Sequence, residues 1–327
     1  MKKILGILGL LIGICILTAL FSDRFLTGYN LENLIRRTSL FGIISIGAAF
    51  VIITSGIDLS IGSVICLIGC MLPWLLIEHG WSPWAAIPAL IVLSVGIGLF
   101  HGLLITKLKM QPFVVTLCGL LMYRGFSRGF TGDQSQGFGQ EYQGLRSLAN
   151  GQIAITDNFS LPMPCLILVV LAILAAIFLN HTIYGRYLLA LGNNEEAAKY
   201  SGINTDLMIV LAYVICAVLS GLGGILFVLD INSAQPVDFG NFYELYAIAA
   251  AVLGGCSLRG GRGTIIGVLI GAAVMQVLRN AITLVPQVPN NIEFAVIGAV
   301  ILVGVAVDEV FKRVASQRRA TRQLEAS

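Results

Sequence analysis

Apolar residues run through this chain in blocks, and polar residues fall in short islands between them. A membrane-crossing helix needs about 20 mostly apolar residues. On that rule the pattern predicts ten spans, near 4–21, 38–54, 61–78, 84–106, 111–129, 161–179, 206–229, 242–255, 264–284 and 292–307. The second and eighth are short, as half-helices or tilted pieces are. The expected fold is all-α: a polytopic membrane protein in which residues 1–327 form one transmembrane domain.

Composition sharpens this picture. Of 327 residues, 57% are hydrophobic and 11% charged, against about 25% charged in a soluble domain. The apolar blocks leave no room for a separate soluble domain. A net charge of +3, spread loop by loop, gives nucleic-acid binding no support. The seven cysteines mostly lie inside apolar runs and include no CxxC pair, so no metal site or disulfide framework is expected. Met1, Lys2 and Lys3 precede an apolar run that is long for a signal peptide, with no small-x-small cleavage site before Ser22. It is read as an uncleaved first span.

With the first residues in the cytoplasm, the outside loops hold Arg24, Arg36, Arg37 and Arg146, while Arg124, Arg128 and Arg279 fall within spans. The other thirteen of the 20 basic residues lie inside, so the positive-inside rule puts both termini in the cytoplasm. LENLIRR, within the outside segment 22–37, is expected to lie along the interface with its arginines at headgroups. Trp74, Trp81 and Trp84 surround the next outside turn, where interfacial tryptophans belong. Pro73 is expected to kink its span, His101 to be a hydrogen-bonded packing residue, and Arg124 to snorkel outward. The outside loop 130–160, rich in Gly, Gln, Asn and Ser, is expected to lack a core of its own and to serve at most as a docking surface.

Three islands carry candidate chemistry. The first, SGIDLSIGS from Ser55 to Ser63, separates two apolar runs that cannot stop in lipid with backbone groups unsatisfied. Ser55 and Asp58 have the spacing of a capping box, and Gly56 and Gly62 permit backbone angles closed to other residues. Two readings stay open: a tight cytoplasmic turn capped by Asp58, or a discontinuous membrane helix facing a solute path. Intramembrane acids and Gly-interrupted spans favour the second. The second island is the inside loop 180–204. There Asn193 or Asn194 can cap a short helix, with Glu195 and Glu196 in its first turn, Lys199 in its last and Gly202 just beyond. Two adjacent acids suit a protein partner better than an anionic leaflet.

The third island follows Asn232-Ser233-Ala234-Gln235-Pro236. Gly254 to Arg262 hold four glycines and two arginines, and Gly263, Gly267 and Gly271 repeat a small-xxx-small spacing. The helix breaks are therefore assigned to Gly56, Gly62, Gly254, Gly255, Gly260, Gly261 and Gly263. A P-loop is excluded, because no Gly-Lys dipeptide occurs in the chain. The halves 38–129 and 206–307 each begin with a span, a Gly/Ser break and a small-residue helix, in opposite orientation, as inverted repeats do.

These islands resemble, in order, the signatures of permease subunits of bacterial ABC importers for monosaccharides, the ribose-permease type within the branched-chain amino acid/ribose superfamily. The first matches SGIDLSVGS except at Ile61. Pro112, Thr116-Leu117 and Arg124-Gly125 match a second block, and the inside loop is similar to ALGGNxxAAxxSGI, with Asn193 for the second glycine. YELYAIAAAVLGGCSLRGGRG is similar to YELDAIAAxxLGGTSLxGGxG, with Tyr246 where an aspartate is usual. The resemblance implies a coupling helix at Asn194, Glu195, Glu196, Ala197, Ala198, Lys199 and Tyr200, docking into an ABC ATPase subunit that uses ATP and Mg. It further implies a sugar-binding protein outside the membrane, a second permease subunit, and no cofactor or catalytic residue in this chain. Ser55, Asp58, Ser60, Gln235, Glu244 and Tyr246 are the expected substrate path. A permease for branched-chain amino acids and an ion-coupled secondary transporter are the alternatives.

Overall fold

The computed structural model describes residues 2–156, 159–285, 292–299, 302–303 and 306. In chain order the elements are α1 (Lys2–Phe21), α2 (Gly28–Ile53), α3 (Ile61–Pro73) continued by a π-helical turn (Trp74–Glu78), α4 (Pro83–Lys107), α5 (Pro112–Thr131) and α6 (Gln143–Asn150). A hairpin of β1 (Gln152–Thr156) and β2 (Phe159–Pro162) follows. Then come α7 (Met163–His181), α8 (Ile183–Asn193), α9 (Glu195–Tyr200), α10 (Thr205–Ile231), α11 (Tyr243–Leu253) and α12 (Ile265–Leu284). Among the described residues, seven helices are long and apolar enough to cross a membrane. The expected all-α, polytopic architecture holds, with the hairpin as an addition. The helix expected at 292–307 is described only in part, helical over 293–299. The basic residues after Val310 lie outside the described residues.

Burial follows the small residues. The second half of α2 is buried without interruption from Ser39 to Ile53, because Gly42 and Gly47 let neighbours approach: a side-chain carbon at Gly47 would lie 3.2 Å from Cys216 Cα of α10. Gly98 and Gly102 do the same for α4, where an added carbon would come within 2.5 Å of Val214 Cα and 2.7 Å of Val210 Cα. So α10 packs on α4, α2 and α3 nearly backbone to backbone, which is how helices associate where burial from water gives no drive. By contrast α1 lies against α12 at the edge, with most of its surface uncovered.

Several expectations need correction. LENLIRR does not lie along the interface. It is the first part of α2, which starts at Gly28 after the Thr27 cap rather than at 38. Arg36 and Arg37 reach Asp230 near the end of α10, at 3.8 and 3.7 Å. A buried carboxylate needs countercharge more than an arginine needs water. The segment 130–160 is no bare loop either. It contains α6 and the hairpin, buries Phe138 and Ala149, and pairs Gln136 with Ala234 in a bridge. Arg146 and Asn150 donate to the Leu229 carbonyl, and Ser160 N–H donates to Glu32. Residues 183–193, expected as loop, form α8. Pro73 does disturb its span, through the π turn that follows it.

Since α2 runs from Gly28 to Ile53 and Gly261 N–H donates to the Ile53 carbonyl, the bundle has two distinct ends. One carries α8, α9, the α11–α12 loop and the Lys107–Asp206 pair at 2.9 Å. The other carries the hairpin, α6 and the loop 232–242.

Candidate functional site: two broken helices and a short exposed helix

Between α2 and α3, residues 54–60 leave the helical path. The expected capping box is absent. Ser55 takes a left-handed conformation at φ +65°, and the single proton of its hydroxyl is shared between the Arg259 carbonyl at 3.0 Å and the Gly192 carbonyl at 3.3 Å. Asp58, 4% exposed, instead folds back on its own turn. Its Oδ1 accepts from Ser60 N–H at 2.8 Å and Ser60 Oγ at 2.6 Å, the short Asx turn that aspartate forms two residues on. The Ile57 carbonyl, left free by the break, accepts from Tyr213 OH of α10 at 3.2 Å. It also lies 3.3 Å from Thr116 Oγ1 of α5, a hydroxyl it shares with the Pro112 carbonyl at 2.9 Å. That is how a break survives away from water. Gly56 and Gly62 are not the residues with left-handed backbone; they matter for close approach. A side-chain carbon at Gly62 would strike the Glu244 carboxylate and the Gly240 carbonyl.

Glu244, buried on α11, therefore sits beside the first turn of α3, whose unpaired N–H groups favour negative charge. Two buried acids, Asp58 and Glu244, flank one helix start. The loop 232–242 closes over this region. Arg124 does not snorkel; its Nη1 donates to the Phe239 carbonyl at 2.8 Å and the Pro236 carbonyl at 3.3 Å. Cys66 Sγ also contacts the Pro236 carbonyl, at 3.5 Å. Gln235 reaches across to the Asp133 carbonyl at 3.5 Å. Asp133 in turn receives two bonds from Arg128, at 2.7 and 3.0 Å, which hold its carboxyl below the ordinary value. His101 is the packing residue expected, its Nε2 2.8 Å from Tyr123 OH.

The six residues expected along one path fall in three places. Asp58, Ser60 and Glu244 lie at the α3 start, with Gln235 in the loop above it. Ser55 belongs to the end of the bundle that carries α9. Tyr246 faces away from Glu244, its OH 3.3 Å from Glu293 Oε1 and its ring 4.8 Å below the Arg279 guanidinium. Arg279 also pairs with Glu293 at 2.6 Å. Beside this cluster an apolar cavity of ≈ 350 Å³ is lined by Phe242, Leu245, Tyr246, Phe294, Ile297 and Gly298.

The second break is made of backbone. Gly255, Gly260 and Gly261 stand at φ +95°, +79° and +71°. Gly254 and Gly267 meet face to face, and a carbon on Gly271 would press on the Ala250 carbonyl, so the small-xxx-small spacing seats α12 on α11. Gly263 leaves room for Ile53 and Cys256, each 2.8–2.9 Å from an added carbon.

The short helix α9 is built as the sequence predicts. Asn194 Oδ1 accepts from Ala197 N–H at 2.9 Å, Glu195 and Glu196 occupy the first turn and Lys199 the last, and Gly202 follows at φ +82°. Only Ala198 faces inward; Tyr200 is 91% exposed. Reading the sequence alone missed Thr116 and Tyr213 as holders of the first break. The Tyr213 hydroxyl within an apolar span carried a signal, since it must find an acceptor beyond its own helix. Thr116 carried none, because the Pro112 carbonyl of its own helix accepts from it.

The fold and these junctions define a multi-pass α-helical membrane permease. Residues 30–305 match the family described as branched-chain amino acid transport system / permease component, and the chain belongs to that family. It is 37% identical over 306 residues to the ribose import permease protein RbsC of Escherichia coli (strain K12), covering 93% of this chain and 92% of that protein. It is also 37% identical over 309 residues to RbsC of Bacillus subtilis (strain 168), covering 94% and 93%. To the xylose transport system permease protein XylH of Haemophilus influenzae it is 30% identical over 362 residues, covering 93% and 96%. No solved structure matches the chain.

Proposed function

We propose that this chain is the membrane subunit of an ATP-driven importer for a monosaccharide of the ribose or xylose class, working by alternating access in the bacterial inner membrane. Both termini, α9 and the α11–α12 loop face the cytoplasm, and the halves 38–129 and 206–307 act as inverted repeats. The sugar passes by Asp58, Ser60 and Glu244 under the loop that holds Gln235. An ATPase subunit supplies ATP hydrolysis with Mg, a sugar-binding protein delivers substrate from outside, and a second permease subunit completes the pore. This chain performs no catalysis of its own.

One observation carries the reading: α9 is short, capped and exposed, with two adjacent acids at its start. The helix dipole accounts for one of them. An anionic leaflet would repel both, whereas a basic groove on an ATPase would use them to steer and register the partner. Glu195→Lys/Glu196→Lys tests this with the chain co-expressed with its ATPase and binding protein. Reversed charge across an interface costs several kcal/mol, but a free surface helix loses only about 1 kcal/mol per site. The variant should insert at wild-type levels, lose the ATPase on purification and lose ATP-dependent uptake of labelled ribose and xylose. Retention of both ATPase and uptake overturns the reading.

A further inference from the structure

Three stretches far apart in sequence meet at the end of the bundle that carries α9. They are the end of α2 with Ser55, the end of α8 at Gly192 and Asn193, and residues 259–261 of the α11–α12 loop. The contact is backbone on backbone. Gly261 N–H donates to the Ile53 carbonyl at 2.9 Å. A side-chain carbon on Gly192 would strike the Ile53 carbonyl and Gly261 N, one on Gly261 would lie 2.8 Å from Asn193 Cα, and one on Gly260 would strike Ser55 Oγ. The Ser55 side chain reaches both other stretches, its hydroxyl lying within hydrogen-bond distance of the Gly192 and Arg259 carbonyls.

We propose that Ser55 is the pin of a transmission joint, through which movement of α9 reaches both broken helices together. The inference rests on the importer reading above and adds a positioning residue to it. Gly192 stands two residues before Asn194, the cap of α9, so a shift of α9 pulls first on Gly192. From Gly192 one route runs through Ser55 to the Asp58 turn and α3. The other runs through the Arg259–Gly261 stretch to Gly263 and α12. Ser55 holds a left-handed backbone that favours glycine, although Gly56 stands beside it. It is also exposed, so its hydroxyl adds nothing to the buried core. A bond between moving parts explains a serine there; packing does not.

The test uses the complete transporter, this chain with its ATPase subunit and binding protein, reconstituted in liposomes. The readouts are ATPase retained on purification, ATP hydrolysed, and labelled sugar moved. Ser55→Gly keeps the backbone and removes the hydroxyl. It should retain the ATPase and near-normal hydrolysis while ATP used per sugar rises roughly fivefold, as loss of one or two hydrogen bonds between moving parts would give. Ser55→Asn tolerates the same backbone and restores a donor, so it should recover most of the coupling. Gly260→Ala wedges the same contact from the other side, against the Ser55 hydroxyl and the Gly192 carbonyl, and should by itself raise ATP used per sugar. A wild-type ATP-to-sugar ratio in Ser55→Gly or in Gly260→Ala, or loss of the ATPase with normal coupling in the remainder, each overturns the joint. If the wild-type chain itself neither holds an ATPase nor moves sugar with ATP, the importer reading fails, and the joint falls with it.

Discussion

The two breaks, 54–60 and 254–264, interrupt their spans by opposite means. In the first, side chains hold the backbone: Asp58 closes its own turn, and Thr116 and Tyr213 from two other helices both clasp the Ile57 carbonyl. In the second, backbone does most of the holding: Cys256 N–H bonds to the Ala251 carbonyl at 3.0 Å, Ser257 N–H to the Arg262 carbonyl at 3.0 Å, Gly260 N–H to the Ser257 carbonyl at 2.8 Å and Gly261 N–H to the Ile53 carbonyl at 2.9 Å, with the Ser55 hydroxyl at the Arg259 carbonyl. Three of its glycines adopt left-handed angles. A break held by side chains can be read and tuned by a solute or a neighbouring helix. A break made of glycine mainly lets the chain turn. Polar chemistry accordingly gathers at the first, and conformational freedom at the second.

Substitutions should sharpen this contrast, the largest effect coming from bulk at the first break. Gly62→Val drives methyl groups into the Glu244 carboxylate and the Gly240 carbonyl, and overpacking of this kind costs about 1–3 kcal/mol or more. Membrane-inserted protein that survives gel filtration in detergent should fall sharply, and uptake should vanish. Next comes Asp58→Asn, which keeps an acceptor for Ser60 but loses its charge beside the α3 start. A charge near a helix end contributes about 0.3–1 kcal/mol exposed and up to ~2 when partly buried. Uptake should drop roughly tenfold with normal membrane levels; wild-type uptake would make Asp58 a passive turn residue.

Tyr213→Phe with Thr116→Val leaves the Ile57 carbonyl without either donor, a loss of about 1–3 kcal/mol. Each single change should cost about 0.5–1.5 kcal/mol, less where the remaining donor compensates. Thermal unfolding in detergent reads all three, and strict additivity would count against a shared acceptor. The smallest effect belongs to the second break. Gly255→Ala meets nothing within 4 Å, so only its left-handed angle is strained, by about 1 kcal/mol. Uptake should stay within about twofold of wild type. A collapse of uptake there would mean that the second break, too, is read by chemistry.

Much of this was legible in the sequence because lipid leaves the chain few options. Block length placed most spans, although it started α2 at 38 rather than at Gly28. The run from Asn193 or Asn194 to Gly202 gave α9 with its cap open between the two asparagines, since caps and dipole preferences act over four or five neighbours. What stayed hidden depended on partners far away in the chain. LENLIRR reads as interfacial until Asp230, some two hundred residues on, supplies the countercharge for Arg36 and Arg37. Arg124 reads as an anchor until the loop 232–242 offers it carbonyls. Likewise, spacing alone made Ser55 and Asp58 look like one capping box, and only the arrival of Gly192 and Arg259 beside Ser55 separates them. The expected path divided for the same reason, because Glu244 and Tyr246 are neighbours in sequence but face opposite sides of α11.

The position of α1 bears on how the protein is made. Its packing partner is α12, so the first helix of this sequence to leave the ribosome must wait for residues 265–284 before its contact surface exists. Its sparse covering even in the finished fold suits it to that delay. Its docking is then a late event in assembly, one that a chain stalled before Ile265 cannot complete.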